Sequence, residues 1–548
     1  MLRKTLGSPR WGTDLARNLL VRLQHGECGD ECPPKKSRQV KKPTFNMADC
    51  TTEVIEKDCI FDMCCLKPGT PQPSVVIIGA GLAGLSAAQR LVQCGITNFR
   101  ILEALDRPGG RIKSCWLGDT VIEMGAAYID GASIANPVYT LAAQERLIKA
   151  PLARVEAPSD VMYFTSEGRA IDTVLASKAS KIFHSTVAKA AAIPYSESKA
   201  AKDNLNKFMD EAVLEAIKKL PEIERYDVAR VIYGLKCSLG DKLNSPISCG
   251  SPHSLPGGRI QIPLGMGSLL APLIRDMPEC SLVFCKPIHC IRWGTASGCG
   301  PRVVVRACDG EEFAADYVIV TIPLGVLKNK ADSLFCPALP ACKMDAIRKL
   351  GFGNVSKIFM QLDNPFWVGD RTEFRLAWSP SELAERTDWL KGVSSFASVP
   401  GSSKVLEASV SGPEAKFMEL QPDEEVARDL IRLLQEFLGD SSVPFPKEIA
   451  RTDWSKSSNF YGSYTYLGPE SNIGHICNLA DPLPGQCDEM APIILFAGEH
   501  TSPKFHSTLQ GARESGIREA NRILELTKKL NGPPVKQICV PCQTVCRS

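Results

Sequence analysis

The sequence predicts an α/β fold of two domains, one of which is assembled from separated stretches of the chain. With 548 residues, the chain is too long for a single hydrophobic core. An apolar strand, Val75-Val76-Ile77-Ile78, runs directly into a glycine-rich turn and a helix. A second apolar strand, Ile493–Ala497, precedes another helix near the end of the chain. Both patterns are typical of alternating strands and helices around a parallel sheet.

Further elements are expected between these two ends. Paired strands are predicted from about Leu282 to Leu327, where VVVRACDG and EEFAADYVIVTIPLGVL contain apolar runs and turns. Two segments have apolar residues at helical spacing, SESKAAKDNLNKFMDEAVLEAIKKL and PDEEVARDLIRLLQEFLG. Gly439 is the expected C-cap of the second helix. We interpret both as surface helices packed on a domain.

Composition excludes several classes of protein. Hydrophobic residues make up 44% and charged residues 23% of the chain, and the formal net charge is only +3. No basic stripe indicates a nucleic-acid partner. No apolar run reaches the roughly 18 residues that a membrane helix needs. The 22 cysteines follow no zinc or disulfide spacing through the body of the chain, so no metal is predicted.

The first glycine-rich turn has the spacing of a dinucleotide-binding loop. In Gly79-Ala80-Gly81-Leu82-Ala83-Gly84, the first glycine permits a tight turn and Gly81 lets the backbone approach a pyrophosphate. Gly84 lets the helix pack closely on the strand, and the helix N-terminus would face the phosphates. Glu103 ends the next strand, where its carboxylate would accept both ribose hydroxyls. The alternative is a structural turn without a ligand.

Two further signals indicate FAD. The run Arg107-Pro108-Gly109-Gly110-Arg111 is a second glycine signature of FAD enzymes, which simple NAD dehydrogenases lack. Arg111 would neutralise the pyrophosphate; otherwise it is a solvated turn cation. Near the end of the chain, Gly498-Glu499 lies between a strand and a helix that starts near Thr508. A carboxylate there suits a ribitol hydroxyl and the edge of a flavin ring.

Together these motifs resemble the flavin monoamine oxidase and polyamine oxidase superfamily, and within it the spermine oxidase and acetylpolyamine oxidase branch. The resemblance covers roughly residues 74–526, and is carried by VVIIGAGLAGLSAAQRL, LEALDRPGGRI, EMGAAYIDG, AIRKLGFGNVSKIFMQLDNPFW, NFYGSYTYLG and FAGEHTSPKFHSTLQGARESGIREANRIL. It implies a Rossmann-like FAD-binding domain of discontinuous segments and an α+β substrate-binding domain, a mixed sheet flanked by helices. We expect the FAD-binding domain at 73–130, 256–335 and 470–528, and the substrate-binding domain at 131–255 and 336–469.

The resemblance also implies roles for single residues. Non-covalent FAD is expected to contact Gly79, Gly81, Gly84, Glu103, Arg111, Gly125, Ala126, Ile288, Glu499 and Thr508. The expected catalytic residues are Lys357, Tyr464 and Thr508, and the expected substrate contacts are Tyr128, Asp130, Tyr464 and Ser507. Lys357 falls on a lysine that holds a water against flavin N5. Without the resemblance, Lys357 would be a solvated strand-edge lysine and Tyr464 a strand tyrosine packed on its neighbours.

The chain departs from the pattern of these oxidases near the substrate. Asp130 stands where animal relatives carry a histidine; it could pair with a substrate ammonium group or cap the following turn. A second acidic contact is expected around Leu235–Asp241 but cannot be assigned. His506 replaces a usual tyrosine and Leu509 a usual polar residue. These departures leave the preferred amine open.

The function implied is FAD-dependent oxidation of a secondary amine in a polyamine, such as spermine, spermidine or an acetylated form. Hydride transfer to flavin N5 would give an aldehyde and a shorter amine, and O₂ would be reduced to hydrogen peroxide. Two alternatives remain, an oxidase of another amine and a catalytically silent FAD-binding protein. The sequence does not decide the oligomeric state.

The tails carry weaker signals. Residues 1–72 are expected to form a disordered extension and residues 529–548 a cysteine-containing tail. A cytoplasmic location is expected, and the last three residues, CRS, are not the peroxisomal SKL signal. The alternative is a mitochondrial presequence, since the first 24 residues carry five basic residues, Arg3, Lys4, Arg10, Arg17 and Arg22, against Asp14.

Overall fold

A computed structural model describes residues 65–66, 69–148, 160–193, 204–246, 255–294, 301–368, 372–484 and 491–531. The predictions for nearly all of the N-terminal extension and of the C-terminal tail, including the possible presequence, lie outside these residues. No helix in the described part of the chain is long and apolar enough to cross a membrane.

The strands in chain order are β1 Val75–Ile78, β2 Phe99–Leu102, β3 Ser114–Leu117, β4 Thr120–Glu123, β5 Ile129–Asp130, β6 Asp160–Phe164, β7 Arg259–Ile260, β8 Leu282–Val283, β9 Ile288–Trp293, β10 Val303–Ala307, β11 Glu312–Ala315, β12 Tyr317–Val320, β13 Phe335–Cys336, β14 Gly351–Gly353, β15 Val355–Gln361, β16 Thr372–Leu376, β17 Val393–Ser398, β18 Val405–Ser411, β19 Glu448–Arg451, β20 Tyr464–Tyr466 and β21 Ile494–Phe496.

The α-helices in chain order are α1 Leu82–Gln93, α2 Pro137–Gln144, α3 Thr173–Ala192, α4 Leu205–Lys218, α5 Glu222–Cys237, α6 Leu270–Ile274, α7 Leu324–Leu334, α8 Ala341–Lys349, α9 Pro380–Glu385, α10 Pro413–Glu419, α11 Asp423–Leu438, α12 Ile473–Ala480 and α13 Leu509–Asn531. Short 3₁₀ turns lie at Gly240–Asn244, Met266–Leu269, Trp389–Gly392 and Glu499–Thr501.

A five-stranded parallel sheet organises the first half of the fold, in the order β21-β12-β1-β2-β8. Side chains alternate across β1, so Val75 and Ile77 enter a core with α1 and α13. Val76 and Ile78 enter a second core with α7 and α8 on the opposite face. The carboxyl ends of β1, β2, β12 and β21 therefore share one edge of the sheet, where such folds bind ligands.

A six-stranded mixed sheet, in the order β19-β15-β18-β17-β16-β6, organises the other half. Ile358 and Met360 of β15 pack with α11 in one core, whereas Phe359 packs in another core against the hairpin β3–β4. Lys357 therefore shares the Phe359 side of the strand, as its alternation with Ile358 predicts. Helices α3, α4 and α5 form a separate layer with their own core.

The α/β fold class is confirmed, and so are both predicted surface helices, as α4 and α11. Gly439 caps α11 in the left-handed conformation, with φ of 63°. The domain boundaries stay a prediction. Two segments assigned to the substrate-binding domain, α2 and α8, pack their apolar residues into the two cores of the parallel sheet.

Candidate active site

One cavity of about 470 Å³ brings the predicted site residues together. It begins at the carboxyl edge of the parallel sheet and reaches β15 and β20. Of the residues predicted to contact FAD or substrate or to act in catalysis, all but Gly84 line this cavity: Gly79, Gly81, Glu103, Arg111, Gly125, Ala126, Tyr128, Asp130, Ile288, Lys357, Tyr464, Glu499, Ser507 and Thr508. The geometry thus gathers side chains from positions spread over most of the described sequence.

The glycine-rich turn after β1 leaves room for a ligand. Gly79 has φ of +103°, and a Cβ there would lie 2.5 Å from Thr321 Oγ1. A Cβ on Gly84 would lie 2.0 Å from the Gly79 carbonyl oxygen, which explains why this glycine packs inside the loop instead of lining the cavity. Gly81 is the N-cap of α1 without a side-chain capping bond, and a Cβ there would meet no protein atom within 4 Å. The positive end of α1 is therefore open to an anion.

Glu103 lies directly beside this turn. Its carboxylate accepts hydrogen bonds from Ala80 N at 2.6 Å and from Leu105 N at 2.9 Å. Burial raises the pKa of Glu103, although both backbone bonds oppose the shift. This placement fits a ribose contact next to the phosphates, and the role itself stays a prediction.

The second glycine turn is held by an arginine to which the sequence analysis gave no role. Arg107 donates to the carbonyl oxygens of Pro108 at 3.1 Å, Ile112 at 3.3 Å and Gly110 at 3.0 Å. Gly109 N donates to Ala80 O at 2.8 Å, which joins the second turn to the first. The run Arg107-Pro108-Gly109-Gly110 was the sequence signal for this role of Arg107. Two consecutive glycines with positive φ leave carbonyl oxygens exposed, and a guanidinium can bind them.

Arg111 connects the two predicted ends of the cofactor site. Its Nη1 donates to Glu499 Oε1 at 2.9 Å and to Ser463 O at 2.8 Å, and its guanidinium lies 5.8 Å from the centroid of the Phe352 ring. Arg111 is therefore an ion-pair partner of a buried acid and not a solvated turn cation. Its predicted contact with pyrophosphate stays a prediction.

Glu499 is buried at the centre of this network. Its Oε1 also accepts from Thr465 Oγ1 at 2.9 Å, and its Oε2 accepts from Ser507 N at 2.9 Å. Burial alone would raise the pKa of Glu499, but the charge and hydrogen bond of Arg111, with the Thr465 bond, hold it below its ordinary value. An ionised Glu499 thus joins the second glycine turn, β20 and the turn before α13. Thr465 was not predicted as a site residue, because its contact with Glu499 depends on the position of β20 in the folded chain.

Lys357 is held at the cavity by two oxygens. Its Nζ donates to Glu123 O at 3.0 Å and lies 3.5 Å from Glu407 Oε1, and its side chain is 15% exposed. Strand β15 has neighbours on both sides, β18 and β19. The alternative of a solvated lysine at a sheet edge is therefore wrong. An ammonium has three donors, so one remains for a further acceptor such as a water.

The other predicted catalytic and substrate residues form walls of the cavity. Tyr464 has a raised pKa because of burial and the nearby Asp241 carboxylate. Thr508 donates to Phe505 O at 2.7 Å and lies at the start of α13. The Ser507 hydroxyl donates to Thr465 O, so it has a partner within the protein.

Asp130 is paired within the chain. Its Oδ1 accepts from Arg259 Nε at 2.8 Å, and Arg259 lies 4.8 Å from the centroid of the Tyr128 ring. In the turn that follows, Ala132 N donates to Gly258 O and Ser133 N donates to Gly131 O, and neither donates to the Asp130 carboxylate. Asn136 caps the next helix, α2, by accepting from Val138 N. A contact of Asp130 with a substrate ammonium stays a prediction.

The structure also shows where the other residues that depart from the pattern of these oxidases lie. Asp241, in the stretch where a second acid was sought, accepts from Asn354 N at 2.8 Å. His506 is buried, and burial lowers its pKa. Leu509 lines the cavity. In the described part of the chain, no group of three or more His, Cys, Asp or Glu side chains could hold a metal ion.

Comparison with known proteins agrees with these features. A family model described as flavin containing amine oxidoreductase matches residues 82–524. Peroxisomal N(1)-acetyl-spermine/spermidine oxidase of Homo sapiens is 34% identical over 498 residues, which cover 84% of this chain and 96% of that protein. Polyamine oxidase 1 of Oryza sativa subsp. japonica is 29% identical over 504 residues, covering 83% and 97% of the two chains.

The fold also has a counterpart among solved structures. A putrescine oxidase redesigned in its cofactor binding superposes with a TM-score of 0.60 at 18% identity, covering 83% of this chain and 99% of that one. At this level of identity the similarity shows the fold alone.

Proposed function

Since the chain belongs to the flavin-containing amine oxidoreductases and is an FAD-dependent amine oxidase, we propose that it oxidises a secondary amine of a polyamine. One observation carries this proposal: a single cavity joins the dinucleotide-type loop at Gly81 and Glu103 to Lys357 and the aromatic walls Tyr128 and Tyr464. The polyamine oxidases among its relatives support the substrate class.

The residues present fit FAD. The uncapped N-terminus of α1 and the open space above Gly81 suit the pyrophosphate, and Glu103 suits the ribose. Ile288 and the backbone of Gly125 and Ala126 line the same cavity. When bound, FAD supplies the electron acceptor for the amine, and the protein supplies orientation and electrostatics.

The protein's own groups would prepare the amine. Free amines titrate near pH 10, so the reacting nitrogen must lose its proton before oxidation. Burial between the rings of Tyr464 and Tyr128 would favour the neutral form, because desolvation penalises an ammonium. Lys357, fixed by Glu123 O and Glu407, has a donor left to hold a water for hydrolysis of the oxidised amine or for reoxidation.

The test is anaerobic reduction of the purified holoprotein by spermine, spermidine and their acetylated forms, followed by the loss of flavin absorbance. We expect at least one of these amines to bleach the flavin and to yield hydrogen peroxide once air is admitted. A yellow protein that no amine bleaches would instead support a silent FAD-binding protein. Bleaching by simple monoamines alone would support an oxidase of another amine.

The role of Lys357 has a separate test. We expect Lys357→Met to slow turnover by at least about tenfold. The FAD content should be unchanged, because the partners of Lys357, Glu123 O and Glu407, do not belong to the glycine turns. Lys404→Met, on an exposed lysine before β18, is the matched control and should turn over normally. Near-normal turnover of Lys357→Met would remove this lysine from the mechanism.

A further inference from the structure

Two buried amide side chains meet in the wall of the cavity. Asn136, the N-cap of α2, is 2% exposed, and Gln510, in the first turn of α13, is 5% exposed. Both residues line the cavity, and neither is among the contacts that the sequence predicts. Asn136 Nδ2 donates to Gln510 Oε1 at 3.0 Å. A hydrogen bond between side chains therefore joins the starts of two helices at the cavity.

The partners of Asn136 fix the orientation of both amides. Asn136 Oδ1 accepts from Val138 N at 2.9 Å, so the amide oxygen faces the backbone of α2. The amide nitrogen has two hydrogens, and it donates one to Asp130 O at 2.8 Å and the other to Gln510 Oε1. A carbonyl oxygen such as Asp130 O can only accept, so the Asn136 amide cannot be turned around. Gln510 must then present its oxygen to Asn136 and hold its nitrogen on the other side of the amide.

The amide nitrogen of Gln510 is left with two donors for a ligand. Within the part of the chain that the structure describes, no oxygen accepts from Gln510 Nε2. A buried N–H group without an acceptor is costly, and this one belongs to a residue that lines the cavity. The protonated nitrogens of a polyamine are donors only, so they do not match a group that also only donates. FAD has acceptor atoms in its phosphates, its ribitol chain and its flavin ring, so the chemistry of Gln510 favours the cofactor.

The order of the strands indicates which half of FAD lies near Gln510. Glu103 follows β2 and the turn that contains Gly81 follows β1, and β1 and β12 lie between β2 and β21 in the sheet. An FAD with its ribose at Glu103 and its pyrophosphate at Gly81 would therefore extend its flavin towards β21. Helix α13 is bonded to the turn after β21, because Gly498 N donates to Ser515 Oγ at 2.9 Å. Gln510, at the start of α13, thus belongs to the flavin end of the cavity.

We propose that Gln510 binds the cofactor by donating a hydrogen bond from Nε2 to an acceptor atom of the flavin ring, and that Asn136 positions Gln510 for this bond. Reduction adds electron density to the acceptor atoms of the ring, and a hydrogen bond to a more negative acceptor is stronger. A donor at this place therefore favours the reduced over the oxidised flavin. The inference requires FAD and does not depend on which amine the enzyme oxidises.

The experiment measures the midpoint potential of the flavin in the full-length holoprotein, equilibrated with a reference dye and a chemical reductant in the absence of any amine. Gln510→Met keeps the length of the side chain and removes the amide. We expect the ratio of reduced to oxidised flavin at a fixed potential to fall at least about tenfold, which is about 30 mV for a two-electron couple. Gln144→Met, at an exposed glutamine at the end of α2, is the matched control and should keep the potential of the wild type.

A second variant tests the positioning by Asn136. Serine is also a good N-cap residue, so Asn136→Ser keeps a cap on α2, but its hydroxyl is too short to reach Gln510. We expect Asn136→Ser to lower the ratio of reduced to oxidised flavin by at least about threefold. The double variant should show no larger change than Gln510→Met alone, because both substitutions act on the same hydrogen bond.

Equal midpoint potentials in the wild type and in Gln510→Met would overturn the inference. Faster loss of FAD with an unchanged potential would place the contact on the ribitol or the phosphates, and a lower unfolding midpoint with an unchanged potential would show a structural role; either result also overturns it. If Gln510→Met retains no FAD, Asn136→Ser decides in the same way. Because no amine is added, failure of the amines to bleach the flavin would overturn the proposed function and leave this measurement intact.

Discussion

Replacing Glu123 with glutamine should make the protein more stable in alkaline solution. Glu123 Oε1 accepts from Met266 N at 2.6 Å, and Oε2 accepts from Ser114 Oγ at 2.8 Å. Burial raises the pKa of Glu123 to about 7 from its ordinary 4.5, against the effect of both hydrogen bonds and of the Lys357 charge. A glutamine can keep the acceptor for Met266 N and donate to Ser114 Oγ.

The direction of the pH effect follows from the pKa of Glu123 in the unfolded chain, about 4.5, and in the folded protein, about 7. Below pH 4.5 the carboxyl is protonated in both states, and its contribution to stability is fully present. Between pH 4.5 and 7 the unfolded chain loses the proton first, so the folded state becomes less stable as pH rises. Each pKa unit corresponds to about 1.4 kcal/mol, so the rise of about 2.5 units lowers the free energy of unfolding by at most about 3.5 kcal/mol. Water around the half-buried side chain reduces this to about 2 kcal/mol.

The assay is thermal unfolding of the FAD-saturated protein at pH 5 and pH 8. We expect Glu123→Gln and wild type to differ little at pH 5, and the variant to unfold several degrees higher at pH 8, since 1 kcal/mol shifts the midpoint by about 2–4 °C in a unit of 150–250 residues. Glu279→Gln, at an exposed position, is the control and should not change the pH dependence. A variant less stable than wild type at pH 8, or an effect independent of pH, would refute the reasoning.

Three further substitutions test the cofactor site. Glu499→Ala leaves the Arg111 guanidinium without its buried carboxylate. We therefore expect the free energy of unfolding to fall by about 3–5 kcal/mol, measured by thermal unfolding, and FAD retention to weaken, measured by flavin absorbance. An unchanged unfolding midpoint would contradict the role of this ion pair. The Gly81→Ala variant should fold normally but lose FAD, because the added Cβ enters only the space expected for the ligand. The Gly84→Ala variant should be less stable than the wild type, because the added Cβ would overlap the Gly79 carbonyl oxygen. Equal FAD content in the Gly81→Ala variant and the wild type would argue against a pyrophosphate at this turn.

Local features of the site were predictable from the sequence because they depend on neighbouring residues. The loop from Gly79 to Gly84 needs glycine for steric reasons that hold within six residues of chain. The alternation around Lys357 was enough to place its side chain opposite the Ile358 face of β15. Family resemblance then indicated which of these local features belong to one cofactor site.

Three contacts of the site could not be predicted from the sequence and are visible only in the tertiary structure. Arg111 meets Glu499 across 388 positions, Asp130 meets Arg259, and Lys242 lies on the ring of Tyr464. Each contact joins segments whose relative position depends on strand order, register and helix packing. By itself the sequence determined the cofactor loop, the fold class and the family resemblance, since these are written in contiguous motifs. The charges around the rings of Tyr128 and Tyr464 come from side chains of distant segments, and only folding brings those together.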